Sequence, residues 1–484
     1  MIATAAHLER LMAFENSLDM ERLQFVEGVP MWGYVRWAVA RALYAATSAG
    51  QTPIPLYGQQ PLLTRNRLQY IRNAVEAAWW PRAQRDILLV STTISCVLRN
   101  GTYFNRLVEP FANELPSVSL IAEASADHTR KQPRTFPNIV SIDQIRLLSS
   151  LAARATRPHS ADERRTDELV RAIRAAMPEL QPNTTRMLRE LLLGVARRLP
   201  TLRRLWSHAL DRTQPKLLMV EGASYGDASH LLLWASMRGI VTAEHQHGLI
   251  SVNHEAYNFG DGVARSSFVK ALPQYVLAYG PSWLQGVRTP SRVCVIGNPD
   301  LSDAIDRLDT RLTPARPTVL FISAMLNPAR YRQVVHDLQR HLAGGDVLIR
   351  FRPHPMERAR AAQTYEPILS LPQVALDQSP TIHESIINAS VVIGDFSTAL
   401  FEATALGRPV AMLDGEQARQ HVPDGAIPFL PSDRDALTFV DETLRSTPSP
   451  GARENAGLWA PHWRRSYREF VANVRSGQTQ HRSR

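Results

Sequence analysis

The sequence predicts an α/β protein made of two doubly wound parallel-sheet domains behind a helical N-terminal extension. Three observations predict it. Short apolar runs ending in small polar residues alternate with stretches of helical period, the pattern of buried parallel strands joined by crossover helices. That alternation occurs twice along the chain. And 484 residues are too many for one ordinary core. The expected boundaries are 1–82 for the extension, 83–285 for a first domain with a helical insertion over about 145–210, 286–455 for a second domain, and 456–484 for a C-terminal helix and tail.

In the extension, Leu8, Leu11 and Met12 repeat at helical spacing, and Trp32 leads into an apolar helix through Ala46. Pro53, Pro55 and Pro61 mark a linker, followed by a helix over about Leu68 to Trp80. The first domain offers strands at Asp86–Ser91, Val118–Ile121, Ile139–Ser141, Lys216–Gly222, Ile240–Ala243 and Gln274–Gly280, the last closing this half. Between Ile145 and His208 the pattern is helical and arginine-rich, broken near Pro178 and Pro182, and a further helix covers His230 to Arg238. The second domain opens after a short strand at Val293–Ile296. It then alternates strands at Thr318–Ser323, Asp346–Phe351, Val374–Asp377, Ser390–Asp395 and Pro409–Leu413 with helices at about 330–342, 382–389 and 398–406.

Bulk properties narrow the function. A hydrophobic fraction of 44% with 21% charged residues is that of a soluble globular protein. Cys96 and Cys294 lie far apart in or beside apolar runs, which speaks against a disulfide framework or metal cluster and for a reducing compartment. Met1–Glu15 lacks a basic region followed by an apolar core, and no run reaches the roughly 18 apolar residues of a spanning helix. A cytoplasmic location is the expectation. The net charge of +10 suits anionic partners such as nucleotide phosphates, acidic glycans or a phospholipid surface. Nucleic acid is not expected, because no recognition helix, zinc knuckle or aromatic RNA-binding strand is present.

Ligands of open parallel sheets bind beyond the carboxyl ends of the strands, where helix N-termini point outward. Four segments qualify. Arg350-Phe351-Arg352-Pro353-His354-Pro355 presents His354 on a proline-stiffened loop beside two arginines, suited to phosphate oxygens. In Gly394-Asp395-Phe396-Ser397-Thr398, two hydroxyls open a helix, a phosphate cradle or an ordinary cap; Glu402, one turn later, suits a ribose hydroxyl or helix capping. In Glu244-His245-Gln246-His247-Gly248, Gly248 suggests a tight turn open to a ligand, and His247 or a neighbouring carboxylate suits a general base. The His245/His247 pair lacks further ligands at metal-binding spacing. Val220-Glu221-Gly222 offers Glu221 as a rival base. Neither a Walker A sequence nor a Gly-x-Gly-x-x-Gly turn occurs, which argues against ATP hydrolysis and dinucleotide redox chemistry.

Taken in order, His247-Gly248, Gly297-Asn298-Pro299, Arg352-Pro353-His354-Pro355 and Ser397-Thr398 followed by Glu402-Ala403 resemble the motifs of GT-B glycosyltransferases. The likeness is to bacterial capsule and lipopolysaccharide enzymes: polysialyltransferases, Kdo transferases and CDP-glycerol glycerophosphotransferase-like proteins. It spans residues 215–415 and, loosely, 85–115, where Arg99–Arg106 resembles a loop after the first strand; Pro30–Arg36 also resembles an N-terminal helix of some surface-carbohydrate proteins. The resemblance implies two Rossmann-type domains facing a cleft. It implies nucleotide contacts from Arg352, His354, Pro355, Ser397, Thr398 and Glu402, donor or acceptor contacts from Gly248, Asn298, Ser323 and Asp395, and a base at His247 or Glu221. It further implies a CMP- or CDP-linked donor sugar, a glycan or lipid-linked glycan acceptor, and no required cofactor or metal. Ser-Thr in place of the Ser-Ser of the glycerophosphotransferases favours sugar transfer. The alternatives are a nucleotide-sugar 2-epimerase and a non-catalytic polysaccharide-assembly protein. A separate expectation is that the arginine-rich helix over Thr185 to His208 rests on the inner membrane face, peripherally, through its apolar and basic sides.

Overall fold

The computed structural model describes residues 4–47, 71, 74, 80–81, 83–126, 130–308, 314–355, 357–358, 360–423, 425–446 and 457–478. The linker expected at Pro53, Pro55 and Pro61 lies outside the described residues, as does nearly all of the helix expected up to Trp80. The chain divides into two compact units, a larger one from Ile2–Ala278, Leu284–Gly297 and His462–Arg484 and a smaller one from Tyr279–Trp283 and Asn298–Pro461.

The strands of the larger unit are β1 (Ile87–Thr92), β2 (Cys96–Arg99), β3 (Thr102–Asn105), β4 (Ser119–Ala124), β5 (Ile139–Ser141), β6 (Leu217–Val220), β7 (Val241–His245), β8 (Tyr275–Ala278) and β9 (Arg292–Val295). Seven of them form a sheet in the order β5-β4-β1-β6-β7-β8-β9, parallel throughout. Ile87, Leu88 and Leu89 are wholly buried, as continuous apolar strands covered on both faces must be. β2 and β3 make an antiparallel hairpin turning at Asn100 and Gly101, both at positive φ, where the sequence reading had only a loop. β9 pairs with β8 and completes this sheet, so the larger unit runs on to Gly297 and does not end at 285. The expected C-terminal helix, observed at Trp463–Arg475, also belongs here: Trp463 and Tyr467 meet Phe111 beneath the sheet.

Helices Asp143–Ala155, Ser160–Ala176 and Pro182–Thr213 fill the connection from β5 to β6. The last buries Leu188, Leu192, Ala196, Leu199, Leu202 and Trp206 in the unit's main core. That corrects the membrane expectation for this helix. Its apolar stripe, read correctly as a stripe, is already covered by protein. No described helix is long and apolar enough to cross a membrane.

The N-terminal helices Ala5–Ser17 and Trp32–Thr47 are part of the same core and do not form an appendage. Glu15, with no exposed surface, takes hydrogen bonds from Trp32 Nε1 (2.7 Å) and the Gly260 amide (2.8 Å) and pairs with buried Arg36. Arg36 also donates to the carbonyls of Glu255 and Asn258, which fixes the loop after β7 against the helix.

The smaller unit holds β10 (Thr318–Ile322), β11 (Leu348–Arg352), β12 (Val374–Leu376), β13 (Val391–Gly394), β14 (Val410–Leu413) and the unforeseen β15 (Phe429–Leu430). Their order, β12-β11-β10-β13-β14-β15, is all parallel and is the 3-2-1-4-5-6 winding of mononucleotide-binding halves. The larger unit follows the same winding with a seventh strand added. Glu15→Ala leaves Arg36 buried without its counter-charge, and about 3–5 kcal/mol of stability is expected to be lost. A lower urea midpoint at unchanged slope checks this.

Candidate functional site

In the larger unit the winding reverses between β1 and β6, the place where such sheets bind ligands. Glu221, just past β6, spans that point: it accepts from the Thr92 amide (3.0 Å) and Ser95 Oγ (2.8 Å) at the end of β1. Burial raises its carboxyl pKa against the pull of those two bonds. A small cavity beside it is lined by Leu107, Val108, Met219, Val220, Glu221 and His245.

One strand over, Glu244 in β7 has no exposed surface. It accepts from the Ser224 amide (2.8 Å), Ser224 Oγ (2.5 Å) and Tyr257 OH (2.8 Å). Desolvation outweighs these bonds and lifts its pKa to about 7. The Glu244 Oε1 atom lies 3.6 Å from His247 Nδ1, close but beyond a direct hydrogen bond. Burial, with a smaller contribution from Arg106, lowers His247 to about 4. His247 is therefore neutral at pH 7, and its side chain keeps 27% exposure. A neutral, reachable imidazole beside a carboxylate can take a proton. Tyr225 packs on His247 at 5.6 Å between centroids, and its hydroxyl lies 3.3 Å from His254 Nε2.

The sequence-predicted pair, His247 and Glu221, thus comes together with Glu244 at one end of one sheet. His245 lines the cavity beside Glu221, and its Nε2 lies 3.2 Å from the Gly297 carbonyl. Gly248 is not a left-handed turn. In the turn after β6 it is Gly222 and Gly226 that take positive φ, and a Cβ on Gly248 would meet nothing within 4 Å. Asn298 caps helix Pro299–Arg307 through the Leu301 amide (3.2 Å).

In the smaller unit, Ser323, His354 and Asp395-Phe396-Ser397 follow β10, β11 and β13 at the carboxyl edge of one sheet. β11 and β13 are not neighbours, since β10 stands between them. Arg352 is turned inward: 5% exposed, it pairs with Asp377 and donates to Ser385 Oγ (2.5 Å) and the Ser379 carbonyl (3.1 Å). It fixes the end of β11 to the segment after β12, and is a correction to its expected place on a phosphate. Ser323 Oγ (2.5 Å), the His354 amide (3.1 Å) and Tyr365 OH (2.6 Å) all donate to Glu357. This carboxylate shapes the Pro-His-Pro loop and was not singled out from sequence. Asp395 accepts from Tyr331 OH (2.6 Å) and the Phe396 amide (2.7 Å). Ser397 caps helix Thr398–Ala405 through the Ala399 amide (3.3 Å), and Glu402 sits 2.9 Å from His383 Nε2. Of the expected nucleotide contacts, His354, Ser397, Thr398 and Glu402 stay partly exposed and Pro355 is exposed. Burial lowers the His354 pKa, with Glu357 opposing. Gly394 has no freedom to change, as a Cβ there would lie 2.4 Å from the Ile322 carbonyl.

No family model and no curated protein matches the chain. Among solved structures it is similar to a putative UDP-N-acetylglucosamine 2-epimerase from Listeria monocytogenes, at 11% identity and TM-score 0.47, covering 82% of this chain and 97% of that one. It is similar also to the Neisseria meningitidis UDP-GlcNAc 2-epimerase bound to UDP-GlcNAc, at 12% and 0.45, covering 81% and 99%. A spinosyn rhamnosyltransferase aligns at 15% and 0.40, covering 82% and 100%. Scores this low decide nothing about chemistry. The two Rossmann-type sheets rest on the strand orders above.

Glu244 makes the pH dependence of stability testable. Its folded pKa, about 7, stands above the ordinary 4.5, so the folded state binds the proton more tightly. Its contribution is full at low pH and is lost as pH rises from about 4.5 through 7, on the order of 3 kcal/mol. His247 runs oppositely, losing stability as pH falls from 6.5 toward about 4. The stability of Glu244→Gln relative to wild type should therefore grow over the Glu244 window, read by urea unfolding at pH 4.5 and 7.5.

Proposed function

We propose that this chain is a glycosyltransferase acting on a nucleotide-activated sugar, with its base in the larger unit and its nucleotide site in the smaller one. The observation that carries this reading is the neutral His247 beside buried Glu244, at the strand ends of a nucleotide-type sheet. His247 takes the proton of an acceptor hydroxyl as the hydroxyl attacks the donor's anomeric carbon. Glu244 steadies the imidazolium that results. In the smaller unit, the His354 side chain and the start of helix Thr398–Ala405 offer donors to the departing phosphate, whose growing charge they offset. A cytidine nucleotide as carrier, and a glycan of the bacterial surface as product, rest on the motif resemblance alone.

A specific observation favours a second reading. Glu221 and Glu244 both have raised pKa values, and the Glu221 charge contributes to the rise at Glu244. Two carboxyls with raised pKa values at one sheet edge also suit removal and return of a proton at a sugar carbon, as in a nucleotide-sugar 2-epimerase. That activity needs the donor alone, whereas transfer needs an acceptor.

A thermal-shift panel of CMP, CDP, UDP, GDP and ADP on wild type and His354→Ala tests the nucleotide site. Selective stabilisation by one base, lost in the variant, is expected; indifference of the wild type to all five contradicts the reading. With the nucleotide known, His247→Ala should keep that stabilisation while turnover falls about 10²–10⁴-fold. Product formed from the donor without acceptor identifies the epimerase instead.

A further inference from the structure

The loop after β11 holds one charge that the smaller unit leaves without a partner. Its turn closes through the Glu357 amide on the His354 carbonyl (2.8 Å), and the Glu357 carboxylate takes the His354 amide (3.1 Å) in return. Arg358 follows at once, so its backbone leaves from a fixed turn. The carboxylates beside it are committed elsewhere. Glu357 is filled by Ser323, His354 and Tyr365. Asp377 is filled by Arg352, Ser379 Oγ (2.8 Å) and Ser385 Oγ (2.5 Å). No hydrogen bond or ion pair joins the Arg358 guanidinium to any described residue. Arg358 is exposed to contact, yet it loses part of its hydration to the protein around it. That burial, and then the like charge of Arg352, lowers its pKa, with Asp377 opposing. Arg358 in turn disfavours the charged form of His354. A cation drawn partly out of water and set beside a second cation costs free energy until an anion joins it.

We infer that Arg358 is the cation that receives the donor's phosphate, in the place the sequence offered to Arg352. Its guanidinium brings paired donors that match phosphate oxygens, and neighbouring His354 adds an uncharged one. The two arginines thus divide the work of this loop. Arg352, locked to Asp377, builds it; Arg358, with its donors free, meets the ligand. The inference rests on the proposed nucleotide site and adds to it a binding residue outside the Arg-Pro-His-Pro motif. Under the rival assignment Arg358 is a surface bystander, no different in effect from exposed Arg360 two residues on.

CMP against cytidine, UDP against uridine, and inorganic pyrophosphate as a base-free probe test this by equilibrium dialysis on the full chain. The nucleotide that binds should bind the wild type more tightly than its nucleoside, and the more so at low salt. Arg358→Met should cut that advantage about tenfold while nucleoside binding stays, which also shows that the variant is folded. Arg358→Lys should keep part of the advantage and Arg360→Met all of it. An advantage that survives Arg358→Met, or that falls as far in Arg360→Met, overturns the assignment. Pyrophosphate separates the two claims. Base-selective nucleotide binding untouched by Arg358→Met sinks the assignment alone. Pyrophosphate binding that needs Arg358, with no nucleotide bound, sinks the nucleotide-sugar reading and leaves the anion site standing. Binding of neither nucleotide nor pyrophosphate overturns both.

Discussion

The larger unit's strand ends depend on one constraint: the carboxylate of Glu244 is shut away from water. A buried charge is costly unless it is paired or hydrogen-bonded, and Glu244 is held by three hydrogen bonds from Ser224 and Tyr257. The site is therefore poised near the protonation point of that carboxyl. The same dry surroundings keep His247 neutral. Ser224 stands in a tight turn between two left-handed glycines, and Tyr257 comes from the loop that Arg36 ties down through Glu255 and Asn258. Glu15, Arg36, Ser224 and Tyr257 thus form one chain of constraint from the N-terminal helices to the strand end at Glu244.

The smaller unit solves a different problem. Its strand-end loop is shaped by Glu357, which gathers a serine, an amide and a tyrosine, and by Arg352, which locks into Asp377 and Ser385. These charged groups are spent inside the loop, while His354 and the helix start beginning at Ser397 stay partly open.

Much of this fold was legible in the sequence, for a physical reason. Parallel strands buried on both faces are continuous apolar runs, so Ile87–Val90, Leu217–Val220 and Val391–Gly394 announce themselves without alignment. Strand ends followed directly, and with them the segments holding His247, His354 and Ser397. What stayed hidden depends on partners distant in the chain. Arg352 reads as a phosphate ligand until Asp377 captures it, and Glu357 lies in an irregular segment with no period to mark it. The membrane face expected over Thr185 to His208 failed in the same way: an amphipathic stripe specifies that something covers it, and here that is the core. Glu244 stood in the segment already singled out, but its dominance depends on Ser224 and Tyr257 from other loops.

The most direct test is a site-resolved titration by NMR, with ¹³C in the glutamate carboxyls and ¹⁵N in the imidazoles. One carboxyl should titrate at about 7 and vanish in Glu244→Gln, while the His247 ring stays neutral down to about 4. A Glu244 carboxyl titrating at about 4.3 with a His247 ring at about 6.5, the values of solvated groups, would contradict the dry carboxylate–imidazole pair on which the proposed chemistry stands.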